Sequence, residues 1–101
     1  MKTFRKITKE RVDQIRARRD ILLADVRTPE YFRNGYLSGA VNLYPLMRFT
    51  SHLHTLSKNK KQPIVIFSNE ITDEDAVASA NYAEQLGFEN VYVADYVSLW
   101  D

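Results

Sequence analysis

Two kinds of apolar pattern alternate along this chain. Residues 21–26 and 63–67 are short, nearly unbroken apolar runs. They are too short for helices and have the look of strands covered on both faces. The second run, from Pro63 to Phe67, is β-branched and aromatic, which suits a pleated surface. Around these runs the apolar residues recur at helical spacing. Val12 and Ile15 mark one side of a helix over residues 9–16, with Thr8 as its N-cap. Leu46, Phe49, Leu53 and Leu56 line one helical face. Ala76, Val77, Ala80, Ala83 and Leu86 predict a helix between residues 73 and 86 that ends at Gly87, its alanines small enough to pack close to a sheet. Thr28 before Pro29 predicts a capped, brief helix over residues 30–34, stopped by Gly35. Residues 91–93 read as a last strand, and residues 95–100 as the start of a further helix. Strands alternating with helices predict an α/β fold with a mostly parallel central sheet and helices on both faces.

With 101 residues the chain has room for one hydrophobic core and is read as one domain, residues 1–101. Its 45% hydrophobic and 27% charged residues argue against disorder. No apolar run approaches a transmembrane span, and the polar start from Met1 to Lys6 lacks the apolar core of a signal peptide. A cytoplasmic location and no membrane partner are therefore expected.

The net charge of +1 hides a division along the sequence. Residues 1–20 carry eight Lys/Arg against three acids, residues 21–68 carry six against two, and residues 69–101 carry none against eight. The acidic last third leads to the expectation of a basic protein partner, or of self-association through the basic half of a second copy. No nucleic-acid partner is expected, because the positive residues near the N-terminus are scattered and no aromatic ladder or reader motif accompanies them.

Candidate chemistry is sparse. The chain has no cysteine, which excludes disulfides, thiolate metal sites and any persulfide carried on it. Glu70, Asp73, Glu74 and Asp75 do not make a calcium loop, which needs oxygen ligands at alternate positions followed by glycine; Ile71 and Val77 interrupt the series. No metal and no cofactor are expected. Thr72 is instead expected to cap the following helix, with Asp75 as its capping-box-like partner and the other carboxylates answering the helix dipole. Ser68 lies between Phe67 and Asn69 without a glycine elbow. His52 and His54, two apart on a helix, face different ways, so at most one could reach it.

Two stretches carry a family resemblance. Leu23-Ala24-Asp25-Val26-Arg27-Thr28-Pro29-Glu30-Tyr31-Phe32, continuing through Gly35 to Gly39-Ala40-Val41-Asn42-Leu43, and Pro63 to Phe67 with a helix ending at Gly87-Phe88, resemble the rhodanese-like family over most of the chain. The resemblance implies the rhodanese-like α/β fold. It also implies that Asp25, Arg27, Glu30, Gly39 and Asn42 are a structural signature shaping the sheet and the floor of the active site, with Arg27 and Glu30 as a salt-bridged pair. Tyr36 stands where the family usually has histidine, and residues 92–100 are similar to its closing segment without the paired glycines.

In that family the strand is followed by a cysteine in a short loop carrying arginine and glycine, and then by a helix N-terminus. Backbone N–H groups, the helix dipole and the arginine stabilise the thiolate and its anionic substrate. The matching run here is Ser68, Asn69, Glu70, Ile71, Thr72, Asp73, Glu74 and Asp75, with no cysteine, arginine or glycine. Counting from Pro63 puts Ser68 at the cysteine position; counting back from Gly87 puts Glu70 there. A serine hydroxyl is far less acidic than a thiol and forms no persulfide. The expectation is a catalytically inactive rhodanese-like domain with a degenerate loop and no catalytic residue, acting as a binding or regulatory module. The alternative is a sulfurtransferase- or phosphatase-related enzyme of atypical mechanism, using Ser68 or a partner's cysteine.

Overall fold

A computed structural model describes residues 5–35, 37–70 and 72–95 of the chain. The elements run β1 (Arg5–Lys6), α1 (Lys9–Arg16), β2 (Leu22–Asp25), α2 (Pro29–Asn34), β3 (Val41–Asn42), α3 (Leu46–Leu56), β4 (Ile64–Ser68), α4 (Glu74–Gln85) and β5 (Val91–Asp95). The five strands form one sheet in the order β1-β5-β4-β2-β3, with every neighbouring pair parallel. The two apolar runs of the sequence are the adjacent central strands β2 and β4, joined from Leu22↔Ile64 to Asp25↔Phe67.

Both faces of the sheet are covered, which is why these strands are apolar without alternation. On one face Leu22, Ala24, Ile64, Ile66, Val91 and Val93 pack with Phe49 and Leu53 of α3 and with Ala76, Ala80 and Ala83 of α4. On the other face Leu23, Val65, Phe67 and Ala94 pack with Ile7 and with Val12 and Ile15 of α1. The small buried residues of α4, Ser79 among them, hold that helix close to the strands. Phe49 meets Tyr82 edge-on at 6.2 Å, and the Tyr82 hydroxyl donates to the Thr50 carbonyl at 3.1 Å, tying α3 to α4.

Local signals act as the residues suggest at most element ends. The Thr8 Oγ1 accepts a hydrogen bond from the Arg11 N–H at 3.2 Å, the N-cap contact of α1. Gly87 follows α4 with a φ of 98°, a left-handed turn that favours glycine. Three expectations need correction. Thr28 precedes α2 but makes no side-chain cap; Pro29 alone marks that start. The apolar face of α3 is narrower than its spacing implies, since Phe49 and Leu53 are buried while Leu56 is 40% exposed. The last strand continues two residues beyond Val93, because β4 pairs with it as far as Ser68↔Asp95. The helix expected over residues 95–100 lies outside the described residues, apart from Asp95, which is strand. Among the described residues no helix is long and apolar enough to cross a membrane.

Candidate functional site

Because all strands are parallel, their C-terminal ends lie together, and the loops leaving them line a shallow cleft of about 290 Å³. Arg27, Thr28 and Tyr31 come from the segment after β2, Tyr44 from the segment after β3, and Ser68, Asp73, Glu74 and Asp75 from the end of β4 and the start of α4. Crevices outside the carboxyl ends of parallel strands are where open α/β sheets place their ligands.

Ser68 is the last residue of β4 and is buried. Its hydroxyl donates to Asp73 Oδ2 at 2.5 Å, and the same oxygen accepts the Glu70 N–H at 3.3 Å. The Asp73 N–H in turn donates to the Glu70 carbonyl at 3.1 Å. The loop is thus closed on itself by one carboxylate. This corrects the capping expectation: the N-cap position of α4 belongs to Asp73, not Thr72, and Asp73 makes no side-chain bond to its own helix. The physical reason lies across the loop, where a buried hydroxyl and a backbone N–H offer a carboxylate charge-assisted hydrogen bonds. Shifting the cap by one residue also places Ala76, which is apolar and buried, at the third helical position, so Asp75 closes no capping box. Asp73→Ala is therefore expected to cost about 1.5–3 kcal/mol, the scale of hydrogen bonds to a charged group. Exposed Thr72, by contrast, should tolerate alanine within about 0.5 kcal/mol. Urea unfolding of the two variants checks both.

Beneath the cleft, Asp25 and Arg27 form a buried ion pair. The Arg27 Nη2 lies 2.7 Å from Asp25 Oδ2, its Nε donates to the same carboxylate at 3.0 Å, and its backbone N–H donates to Asp25 Oδ1 at 2.9 Å. The guanidinium also donates to the Gly35 carbonyl at 2.7 Å and lies 6.0 Å from the Tyr31 ring. Asn42 spans the same segment, its Nδ2 donating to the carbonyls of Asp25 at 3.1 Å and Arg27 at 2.9 Å.

The salt bridge expected between Arg27 and Glu30 is a correction: Arg27 pairs with Asp25, and Glu30 is exposed on α2. Residues two apart at a strand end point the same way, which brings Asp25 to Arg27. Gly39 sits in the turn before β3 with a φ of 85°, a backbone conformation that favours glycine. Tyr36 and Ile71 lie outside the described residues. Tyr31 and Tyr44, which line the cleft, carry no sequence signal that separates them from ordinary rim residues.

The arrangement offers little for bond-making. The Ser68 hydroxyl faces a carboxylate where a nucleophilic serine needs a base such as histidine. His52 and His54 are exposed on α3, and His52 Nδ1 lies 2.9 Å from the Arg48 carbonyl. Among the described residues no group of three His, Asp or Glu side chains is placed to hold a metal ion. The cleft instead combines a paired arginine, two tyrosines and three carboxylates, a lining that disfavours anions.

Comparison with known proteins agrees with this geometry. The profile of the rhodanese-like domain matches residues 8–96. The uncharacterized protein YibN of Escherichia coli (strain K12) is 25% identical over 87 residues, covering 86% of this chain and 59% of YibN. The chain thus spans less than two thirds of that relative's length. Among solved structures, the Alr3790 protein of Anabaena is similar with a TM-score of 0.69 at 20% identity, over 90% of this chain and 78% of that one. SSP1007 of Staphylococcus saprophyticus is similar with a TM-score of 0.68 at 19% identity, over 92% and 88% respectively. At such identities these two structures speak for the fold.

Proposed function

Because the chain belongs to the rhodanese-like domain family, we propose that it keeps the family's fold as a binding module and has given up sulfur transfer. The observation that carries this reading is the Ser68 hydroxyl at the end of β4, bound to the Asp73 carboxylate. At this place a sulfurtransferase needs a thiolate, a strong nucleophile surrounded by groups that favour negative charge. Serine cannot hold sulfane sulfur, and Asp73, Glu74 and Asp75 reverse the local field. We take Ser68 as the counterpart of the family's cysteine, since it ends the strand while Glu70 lies out in the turn.

The occupant that suits the cleft is a basic segment of a partner protein, a lysine or arginine side chain entering between Tyr31, Tyr44 and the carboxylates. Exposed charges are screened beyond about 8 Å at physiological salt, so such a complex should weaken as salt rises. Affinity capture at low salt, followed by elution on a salt gradient, is expected to release a basic protein. The combined change Glu74→Gln and Asp75→Asn, which leaves the Asp73 bond to Ser68 intact, should weaken its retention sharply. Capture of nothing, or of a partner whose retention ignores both salt and these substitutions, would remove the electrostatic reading.

A further inference from the structure

A second cleft, of about 590 Å³, lies at the other end of the sheet. Pro63 and Asn90, which line it, precede the first residues of β4 and β5, whereas Ser68 closes β4. Its other wall is α1 and the turn beyond, which bring Arg11, Arg18 and Arg19 to one opening. Among the described lining residues there is no Asp or Glu. Of the acids beside these residues in sequence, Asp13 is bound by Lys9 at 2.8 Å, Asp20 lines a neighbouring hollow that shares Arg19, and Glu10 and Glu89 are exposed outside the lining.

Two of the guanidiniums are held in place by neutral groups, which leaves their charge unbalanced. Arg19 Nη2 donates to the Lys61 carbonyl at 2.5 Å, and Arg11 Nη1 donates to Gln14 Oε1 at 3.2 Å. The lining also has an apolar part, Ile15, Pro63 and Tyr92. Arg5 lies 5.1 Å from the centre of the Tyr92 ring and donates to its hydroxyl at 3.2 Å, adding a further cation beside the cleft.

We propose that this cleft binds an organic phosphate of nucleotide size, its phosphates on the arginines and its planar body against Tyr92 and Pro63. Planar guanidinium forks match phosphate oxygens in pairs, which ammonium groups do not. The volume falls within the range of about 300–1,000 Å³ typical of small-ligand sites.

Calorimetric titration of the full chain with ATP, AMP, tripolyphosphate and adenosine tests it. ATP is expected to bind more tightly than either tripolyphosphate or adenosine, and binding should weaken with added salt. Arg11→Glu with Arg18→Glu should weaken ATP binding at least about tenfold, the scale of losing charge-assisted contacts. Both side chains are exposed, so the fold should persist, which circular dichroism checks. Independently of any variant, ATP should shift the backbone amide resonances of residues 14–19 and 90–92 and spare those of residues 68–75. No heat with ATP at millimolar concentration, equal affinity for tripolyphosphate and ATP, or shifts centred on residues 68–75 would each overturn the proposal.

Discussion

Replacing Asp25 with alanine is expected to cost about 3–5 kcal/mol of folding stability, the range found when one partner of a buried ion pair is removed. Asp25 is completely buried, and its carboxylate accepts hydrogen bonds from the Arg27 backbone N–H, Nε and Nη2. Without it the buried guanidinium loses the carboxylate that accepts its Nε and Nη2 bonds, while Asn42 still ties the carbonyls on either side into place. Domains of this size are stable by about 5–15 kcal/mol in total, so the loss is a large fraction of the whole. Asp25→Leu combined with Arg27→Met should lose less than Asp25→Ala alone, because neither charge then has to be kept inside. Equilibrium unfolding in guanidinium chloride measures both. A loss below about 1 kcal/mol for Asp25→Ala would mean that the pair is not a buried structural element.

The second large effect is expected in the loop between β4 and α4. Ser68→Cys by itself should yield a sluggish thiol and no sulfur transfer. The Asp73 carboxylate that accepts the serine hydroxyl would face the thiolate, and a like charge raises a thiol's pKa. Replacing residues 68–75 with the six-residue loop Cys-Arg-Ser-Gly-Asn-Arg removes the carboxylates of Glu70, Asp73, Glu74 and Asp75 and supplies two arginines and a glycine. An ordinary thiol near pKa 8.5 is only about 3% thiolate at pH 7, so a drop of about two units raises that fraction on the order of twentyfold. The graft should therefore react with a thiol probe at least about tenfold faster than Ser68→Cys and accept sulfur from thiosulfate. A graft with a native circular dichroism spectrum that reacts no faster would show that the divergence extends beyond the loop.

What the sequence reveals and what it hides follow from the range of the interactions involved. The central strands, the Thr8 cap and the α4 stripe are legible because each is set by residues close together in the chain. Strands β1 and β3, each of two residues, carry no periodic pattern and exist only by pairing with longer neighbours. In the site, the missing thiol is read directly, but the choice of cap is not. Thr72 and Asp73 are both good capping residues, and Ser68 across the loop decides how Asp73 is used. The Asp25–Arg27 pair was within reach, since residues two apart on a strand share a face. The arginine cleft was less so: Arg11 and Arg18 stand seven apart along one side of a helix and the turn after it, but Pro63 and Asn90 complete the opening from far along the chain.

Sulfur transfer itself is the decisive measurement. With thiosulfate as donor and cyanide as acceptor, thiocyanate formation is expected to stay at the uncatalysed background at every concentration of the purified chain, because no thiol is present to carry the sulfur. A rate that rises in proportion to protein, and remains with it through repeated purification, would contradict the loss of catalysis and require a sulfur-transfer route without cysteine.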